Sequence, residues 1–241
     1  MELLKGVIAE DLFLYLPEHK TFIISDIHIG YEESLHRQGI LIPKNSYNDL
    51  VLRLEKTIEC IRKKNIIETI IINGDLIHEF GKVSKNEKEL TNKFISFLST
   101  YGKVFLIEGN HDKALKYFVD NHIQIVDKVI IGNILIMHGD KLPSKEVLKV
   151  ITTIIIGHEH PSIALTNGAR VEKYKCFLKG KYERHDLIVM PSSNLFIEGT
   201  DVLQEKLLSP YLKKNNILNF EAYIVEDKIY NFGKVKNLIK Y

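Results

Sequence analysis

The chain has no tryptophan, two cysteines, three glutamines and six prolines in 241 residues. Cys60 and Cys176 are too few for a disulfide framework, and neither stands in a CxxC pair. The expectation is therefore reduced thiols and a cytoplasmic protein. No apolar run approaches the roughly 18 residues of a membrane span. The N-terminal stretch MELLKGVIAEDLFLYLPEHK carries acidic residues where a signal peptide needs an apolar core. A net charge of +2 shows no excess of either sign, so it neither demands nor excludes a nucleic-acid partner. Repeats, low-complexity tracts and Pro/Gly/Ser-rich linkers are missing, which favours a single domain over residues 1–241. Ser192 and Ser193 have no histidine or aspartate in local register, and this weakens a serine-hydrolase reading.

What is present is hydrophobic patterning that changes along the chain. LFLYL (12–16) and TFIIS (21–25) read as a hairpin around Pro-Glu-His-Lys. Leu50, Leu54, Ile58 and Ile61 mark a helix over 46–64, and Leu90, Phe94 and Leu98 a second over 84–99 with Ser84 as N-cap. Strands are expected at 66–73 and 104–108, followed by a short helix at 112–119. Residues 123–138 read as two strands joined at Gly132-Asn133, then come a helix at 144–150 and a strand at 151–157. Residues 171–178 with 185–190, and 219–224 with 228–231, read as hairpins. Alternating strand and helix in the first half, with mostly strand in the second, argues for α/β (α+β) with mixed sheets.

Five apolar runs end in a short polar cluster: FIISDIHIG (22–30), IIINGDLIHEF (70–80), VFLIEGNHD (104–112), ILIMHGD (134–140) and IIIGHEH (154–160). Each places polar residues just past a strand, the edge where α/β sheets collect their sites. One such cluster is an ordinary turn or cap. Five together supply Asp26, His28, Asp75, Asn110, His111, His138, His158 and His160, all oxygen or nitrogen donors. Such a set suits divalent Mn, Fe, Zn, Ni or Co rather than a thiolate zinc site. It is too large for one ion, and suits two ions about 3.5–4 Å apart, the arrangement used for in-line displacement at phosphorus. Two aspartates leave surplus positive charge for a phosphate ester. His158 and His160, two apart at a strand end, are expected to point the same way. Gly157 is expected to supply the bend, and Glu159 to point away.

DIH (26–28), GD (74–75), GNHD (109–112), HG (138–139) and GHEH (157–160), in this order, resemble the calcineurin-like metallophosphoesterase superfamily. SDIHIGYEESL, RQGILIP (37–43), GDLIHEFG, GHEHPSIAL and PSSNLFIEGTDVL (191–203) are similar to its ICC-like, SbcD-related archaeal members, relatives of the bacterial ligase-associated phosphoesterase. The resemblance implies a four-layer α/β/β/α sandwich of two mixed sheets flanked by helices. It also implies that Asp26, His28 and His160 hold one ion, that Asn110, His138 and His158 hold the other, and that Asp75 bridges. Manganese is the expected metal, with Ni, Fe, Zn or Co as alternatives. His111 would face the substrate, stabilising charge or protonating the leaving oxygen, and Asp112 would cap the following helix and support the loop. His78 stands where the Ser/Thr protein phosphatases carry aspartate, and GDxxH resembles the SbcD-like nucleases, so His78 is expected to touch the substrate or support the ligands. Arg37 is a candidate for a second phosphate contact, against a surface role. The implied reaction is phosphodiester hydrolysis by in-line attack of a bridging hydroxide, on DNA, RNA or small nucleotide diesters, with DNA-repair proteins as candidate partners and no membrane. The alternatives are a phosphomonoesterase and a non-catalytic scaffold on the same fold.

Overall fold

The computed structural model describes residues 1–42, 46–78, 83–167, 170–213 and 215–239. The ends of the RQGILIP and GDLIHEFG segments lie outside the described residues.

The first sheet takes its strands in chain order: β1 (Glu2–Leu4), β2 (Val7–Glu10), β3 (Phe13–Leu16), β4 (Thr21–Ile24), β5 (Thr69–Asn73), β6 (Lys103–Ile107) and β7 (Gln124–Val126). β1 to β4 form antiparallel hairpins, whereas β4, β5, β6 and β7 run parallel. Between β4 and β5 lie α1 (Tyr31–Arg37) and α2 (Ser46–Arg62), and α3 (Lys85–Ser99) links β5 to β6. Ser84 caps α3 as expected, its Oγ accepting the Glu87 N–H at 3.1 Å.

The second sheet holds β8 (Lys128–Ile131), β9 (Ile134–Met137), β10 (Thr153–Ile156), β11 (Pro161–Asn167), β12 (Arg170–Tyr182), β13 (His185–Val189), β14 (Thr200–Asp201), β15 (Glu221–Val225) and β16 (Ile229–Lys234). Its order is β14-β11-β12-β13-β10-β9-β8, with β15 and β16 joined to β12. The pairs β9–β10 and β10–β13 are parallel and the hairpins antiparallel, so this sheet is mixed too. α4 (Lys145–Val150) and α5 (Pro210–Lys213) complete the α-helices among the described residues.

Side-chain alternation explains the layering. Along β9, Ile134 and Ile136 join the core shared with the first sheet, while Leu135 and Met137 join a second core. That second core includes Tyr211 and Leu212 of α5, with Val147 and Leu148 of α4 packed against it. Two mixed sheets thus stack face to face and carry helices outside, the expected four-layer sandwich.

Three expectations from the sequence need correction. The run 123–138 splits into three strands, because Gln124–Val126 pairs with β6 and belongs to the first sheet. The hairpin expected from 171–178 and 185–190 is in fact closed between Tyr182 and His185, at the end of a 13-residue β12. Residues 161–167, given no element from sequence, form β11, which pairs the exposed first half of β12. Among the described residues no helix is long and apolar enough to cross a membrane.

Candidate metal centre

β4, β5, β6, β9 and β10 are neighbours, or face one another across the sheets, and each ends at the same edge of the sandwich. The loops beyond β4 and β5 continue the parallel pairing. Asp26 N–H donates to Gly74 O (3.2 Å), His28 N–H to Asp75 O (2.9 Å) and Ile29 N–H to Leu76 O (2.9 Å). The backbone there is tightly turned. Asp26, His28, Asp75, His158 and His160 all have φ between 48° and 63°. This left-handed region costs an L-residue about 1–2 kcal/mol, and Asp and His tolerate it better than most residues. Clustered strain of this kind persists where the surroundings over-determine it, a hallmark of functional sites.

The described side chains form three donor groups: His28, His78 and His111 make one, and the other two share one carboxylate. Of that pair, Asp26, His28, Asp75 and His160 make the first, and Asp75, His138 and His158 the second. In the first, His28 Nε2 lies 3.3 Å from His160 Nε2, and His160 Nε2 lies 3.1 Å from Asp26 Oδ1. In the second, His138 Nε2 faces Asp75 Oδ2 at 3.3 Å, His158 Nδ1 at 3.1 Å and Asn110 Oδ1 at 3.0 Å. One N–H cannot serve three such neighbours, whereas a cation drawing on all four lone pairs can. The donor set of carboxylate, amide oxygen and imidazole fits a divalent metal. The surrounding residues fix the tautomers. His138 Nδ1 sits 3.4 Å from the Asn73 carbonyl and donates to it, so in the neutral ring Nε2, which faces Asp75, His158 and Asn110, carries the lone pair.

The electrostatics match. Burial opposes charge on His138, but its hydrogen bond with Asp75 and the nearby Asp26 charge outweigh it and push the ring up to about 9. Burial and then the neighbouring His138 push His158 down to about 4. His28 is also held well below its ordinary value, by burial and then by His160. Asp26 stays below the usual carboxylate range, since His160 and His138 outweigh its burial.

His111 and His78 complete the rim. His111 N–H donates to Asp75 Oδ1 (3.0 Å), and its Nδ1 donates to the His78 carbonyl (2.6 Å), which turns Nε2 toward the centre, 3.9 Å from Asp75 Oδ2. The rings of His28, His78 and His111 lie against one another with centroids 5.0–5.6 Å apart. Arg37 ends α1 and lines a groove that begins at His28.

Three local expectations change. His158 and His160 do not extend strand β10, which stops at Ile156; their left-handed backbone sends His158 to the second group and His160 to the first. Gly157 is needed for close approach rather than for a bend, because a Cβ there would stand 2.1 Å from Ser25 Oγ and 2.3 Å from Asp26 Oδ2. Asp112 supports the loop as expected but does not cap its helix. Its two oxygens accept Ile77 N–H (3.2 Å) and Gly109 N–H (3.0 Å), stapling two ligand loops together. Burial and then the Asp75 charge push it up to about 7. Glu159 does point away, accepting N–H bonds from Leu208 and Ser209.

Sequence reasoning missed a strap beneath the first loop. Ser192 Oγ donates to Asp26 O (2.7 Å), Ser193 N–H to Ser25 O (3.0 Å) and Asn194 Nδ2 to Ile27 O (2.9 Å). Lys175 in turn holds the strap, donating to the carbonyls of Ser192 (2.8 Å) and Asn194. Burial and then Arg53 push this lysine down to about 7. The signal was present: DLIVM (186–190) followed by PSSN is a sixth apolar run ending in a polar cluster.

Comparison with known proteins agrees with this geometry. The model of the calcineurin-like phosphoesterase family matches residues 19–217. The chain belongs to that family, and its donor groups fit the divalent metals such enzymes use, which makes it a metal-dependent phosphoesterase. Among solved structures it is similar to nuclease MPE of Pseudomonas putida, at 18% identity and a TM-score of 0.59 over 92% of each chain. Weaker likenesses are to Zn2+-complexed Vps29 of Entamoeba histolytica (16% identity, TM-score 0.37, 88% of this chain and 98% of that one). A predicted phosphoesterase of Streptococcus pneumoniae is similarly distant (14%, TM-score 0.35, 89% and 97%). The comparison with curated proteins finds no match.

Proposed function

We propose that the chain is a dinuclear phosphodiesterase acting on bonds between nucleotides. Asp26, His28 and His160 hold one ion, Asn110, His138 and His158 the other, and Asp75 serves both. The observation that carries this reading is the pair of donor groups sharing one buried carboxylate. Two divalent ions supply charge neutralisation for the phosphate oxygens and an acidified water. Asp75 and Asp26 remove only part of the ionic charge, so a phosphate ester is attracted. His111, oriented by its Nδ1 bond to the His78 carbonyl, presents Nε2 for charge stabilisation or for protonating the leaving oxygen. His78 orients His111 through its backbone and lies against it through its ring. A nucleotide substrate rests on the GDLIH motif and on the nuclease neighbour. A scaffold role on this fold is disfavoured by the complete donor set. Manganese is the proposed metal and the cytoplasm the proposed location.

The deciding assay compares bis(4-nitrophenyl) phosphate with 4-nitrophenyl phosphate in the presence of Mn2+. The diester is expected to be the better substrate; a monoester preference of about tenfold, some 1.4 kcal/mol, overturns the diesterase assignment.

Metal loading tests the ligand set separately. With its pKa near 9, His138 is protonated in the metal-free protein at neutral pH, while His158 is already deprotonated. Binding must displace the His138 proton, so Mn2+ affinity should rise about tenfold per pH unit from 7 to 9 and level off above. Calorimetric titration in buffers of different ionisation heat should register about one proton released at pH 7. An affinity flat over that range removes His138 from the ligand set.

A further inference from the structure

Two grooves border residues of the first donor group and share one lining residue. The larger, of about 680 Å³, runs from His28 along α1 past His36 and Arg37 to Tyr47 and Asn86. The smaller, of about 470 Å³, lies between His160 and the segment Phe196–Thr200. Tyr31 lines both. His28 lines the larger groove and His160 the smaller, and their Nε2 atoms stand 3.3 Å apart.

The shared residue is fixed by the site itself. Tyr31 N–H donates to the His28 carbonyl (3.1 Å), and its ring stands edge-on to His78 with centroids 4.9 Å apart. The smaller groove is tied to the same loop: Phe196 N–H donates to Asn194 Oδ1 (2.9 Å), and Asn194 Nδ2 donates to Ile27 O.

We propose that this site takes a phosphodiester whose two substituents lie in the separate grooves that share Tyr31, each substituent of nucleoside size. The inference rests on the phosphodiesterase reading and narrows it. A monoester has one organic substituent and needs one groove. A cyclic nucleotide closes both ester oxygens into one ring and also needs one. Only an open diester fills two. Both volumes fall within the roughly 300–1,000 Å³ of organic-ligand sites. The described walls offer what a nucleoside uses: aromatic rings at Tyr31, Tyr47 and Phe196, and amides at Asn48 and Asn86.

The test keeps the leaving group constant. Methyl 4-nitrophenyl phosphate and thymidine 5′-(4-nitrophenyl phosphate) differ only in the second substituent. The manganese-loaded enzyme should show kcat/KM about tenfold or more higher for the thymidine ester, the scale of stacking one base. Two exposed groove positions are then plugged, as Asn86→Trp in the larger groove and Glu198→Trp in the smaller. One plug should abolish the thymidine gain. The other should preserve the gain and raise KM for both esters, because it blocks the nitrophenyl side. No gain in wild type, plugs without effect, or both effects from a single plug overturns the two-groove assignment. If neither ester is hydrolysed with Mn, Ni, Fe or Zn, the diesterase reading itself fails.

Discussion

Replacing Asp75 with Asn should lower diester turnover by about a thousandfold or more while the protein stays folded. Asp75 is the one side chain common to the first and second donor groups. It is 2% exposed; its Oδ2 faces His138 Nε2 at 3.3 Å and His28 Nε2 at 3.8 Å, while Oδ1 accepts the His111 N–H. Asparagine preserves the shape and the bond from His111. It also removes the charge and can aim an NH2 at nitrogens whose lone pairs a cation needs. Metal ions contribute several kcal/mol of transition-state stabilisation, and each 1.36 kcal/mol is tenfold in rate, so losing one ion accounts for about three decades. Elemental analysis of D75N should find at most one ion per chain where wild type holds two. Two retained ions with turnover within about tenfold of wild type would sink the bridging role.

That prediction could be written from sequence, and the reason is physical. Short apolar runs such as IIIN and VFLI, bounded by turn residues, read as buried strands of a covered sheet, and parallel strands deliver the loops at their C-terminal ends to one edge. That rule gathers the clusters after β4, β5 and β6 in one sheet and those after β9 and β10 in the other, and the stacking of the two sheets brings the two sets together. The local backbone was not legible in the same way. The left-handed turns at Asp26, His28, Asp75, His158 and His160 are set by hydrogen bonds between loops far apart in sequence, such as His28 N–H to Asp75 O. An extended strand end was assumed for GHEH because nothing local signals the turn. β11 and the closure of the β12 hairpin were misjudged for a related reason. β11 is held by its pairing with the exposed first half of β12, and β12 runs past residue 178 because Leu178–Tyr182 pair with His185–Val189; both are contacts between segments that no local pattern marks. Lys175 is likewise invisible to pattern reading. A lysine on a strand suggests solvent, yet this one is turned inward onto the carbonyls of Ser192 and Asn194.

Gly109→Ala should be a severely damaging one-methyl change in the site, and it separates two ways in which glycine is required. A Cβ at Gly109 would lie 2.2 Å from Asp75 Oδ1 and 2.4 Å from the Asp75 backbone nitrogen. A flexible side-chain end could move aside, but a backbone atom in a laced loop cannot. Relief must come from separating the 109–112 loop from the 74–78 loop, against the Asp112 staple to Gly109 and Ile77. That separation moves Asp75, and with it both donor groups that share it. Overpacking of this kind costs about 1–3 kcal/mol in stability. A ligand displacement near 1 Å costs about a hundredfold in rate. Gly6, in the turn between β1 and β2, provides the contrast: its φ of +77° disfavours alanine, but nothing lies within 4 Å of a Cβ there. Gly6→Ala should therefore lose stability of about 1 kcal/mol through backbone strain and keep full turnover and metal content. Gly109→Ala should lose stability, turnover and Mn2+ affinity together. If G109A melts lower yet binds two ions and turns over like wild type, the two loops are not coupled through Asp75, and the close contact at Gly109 serves packing alone.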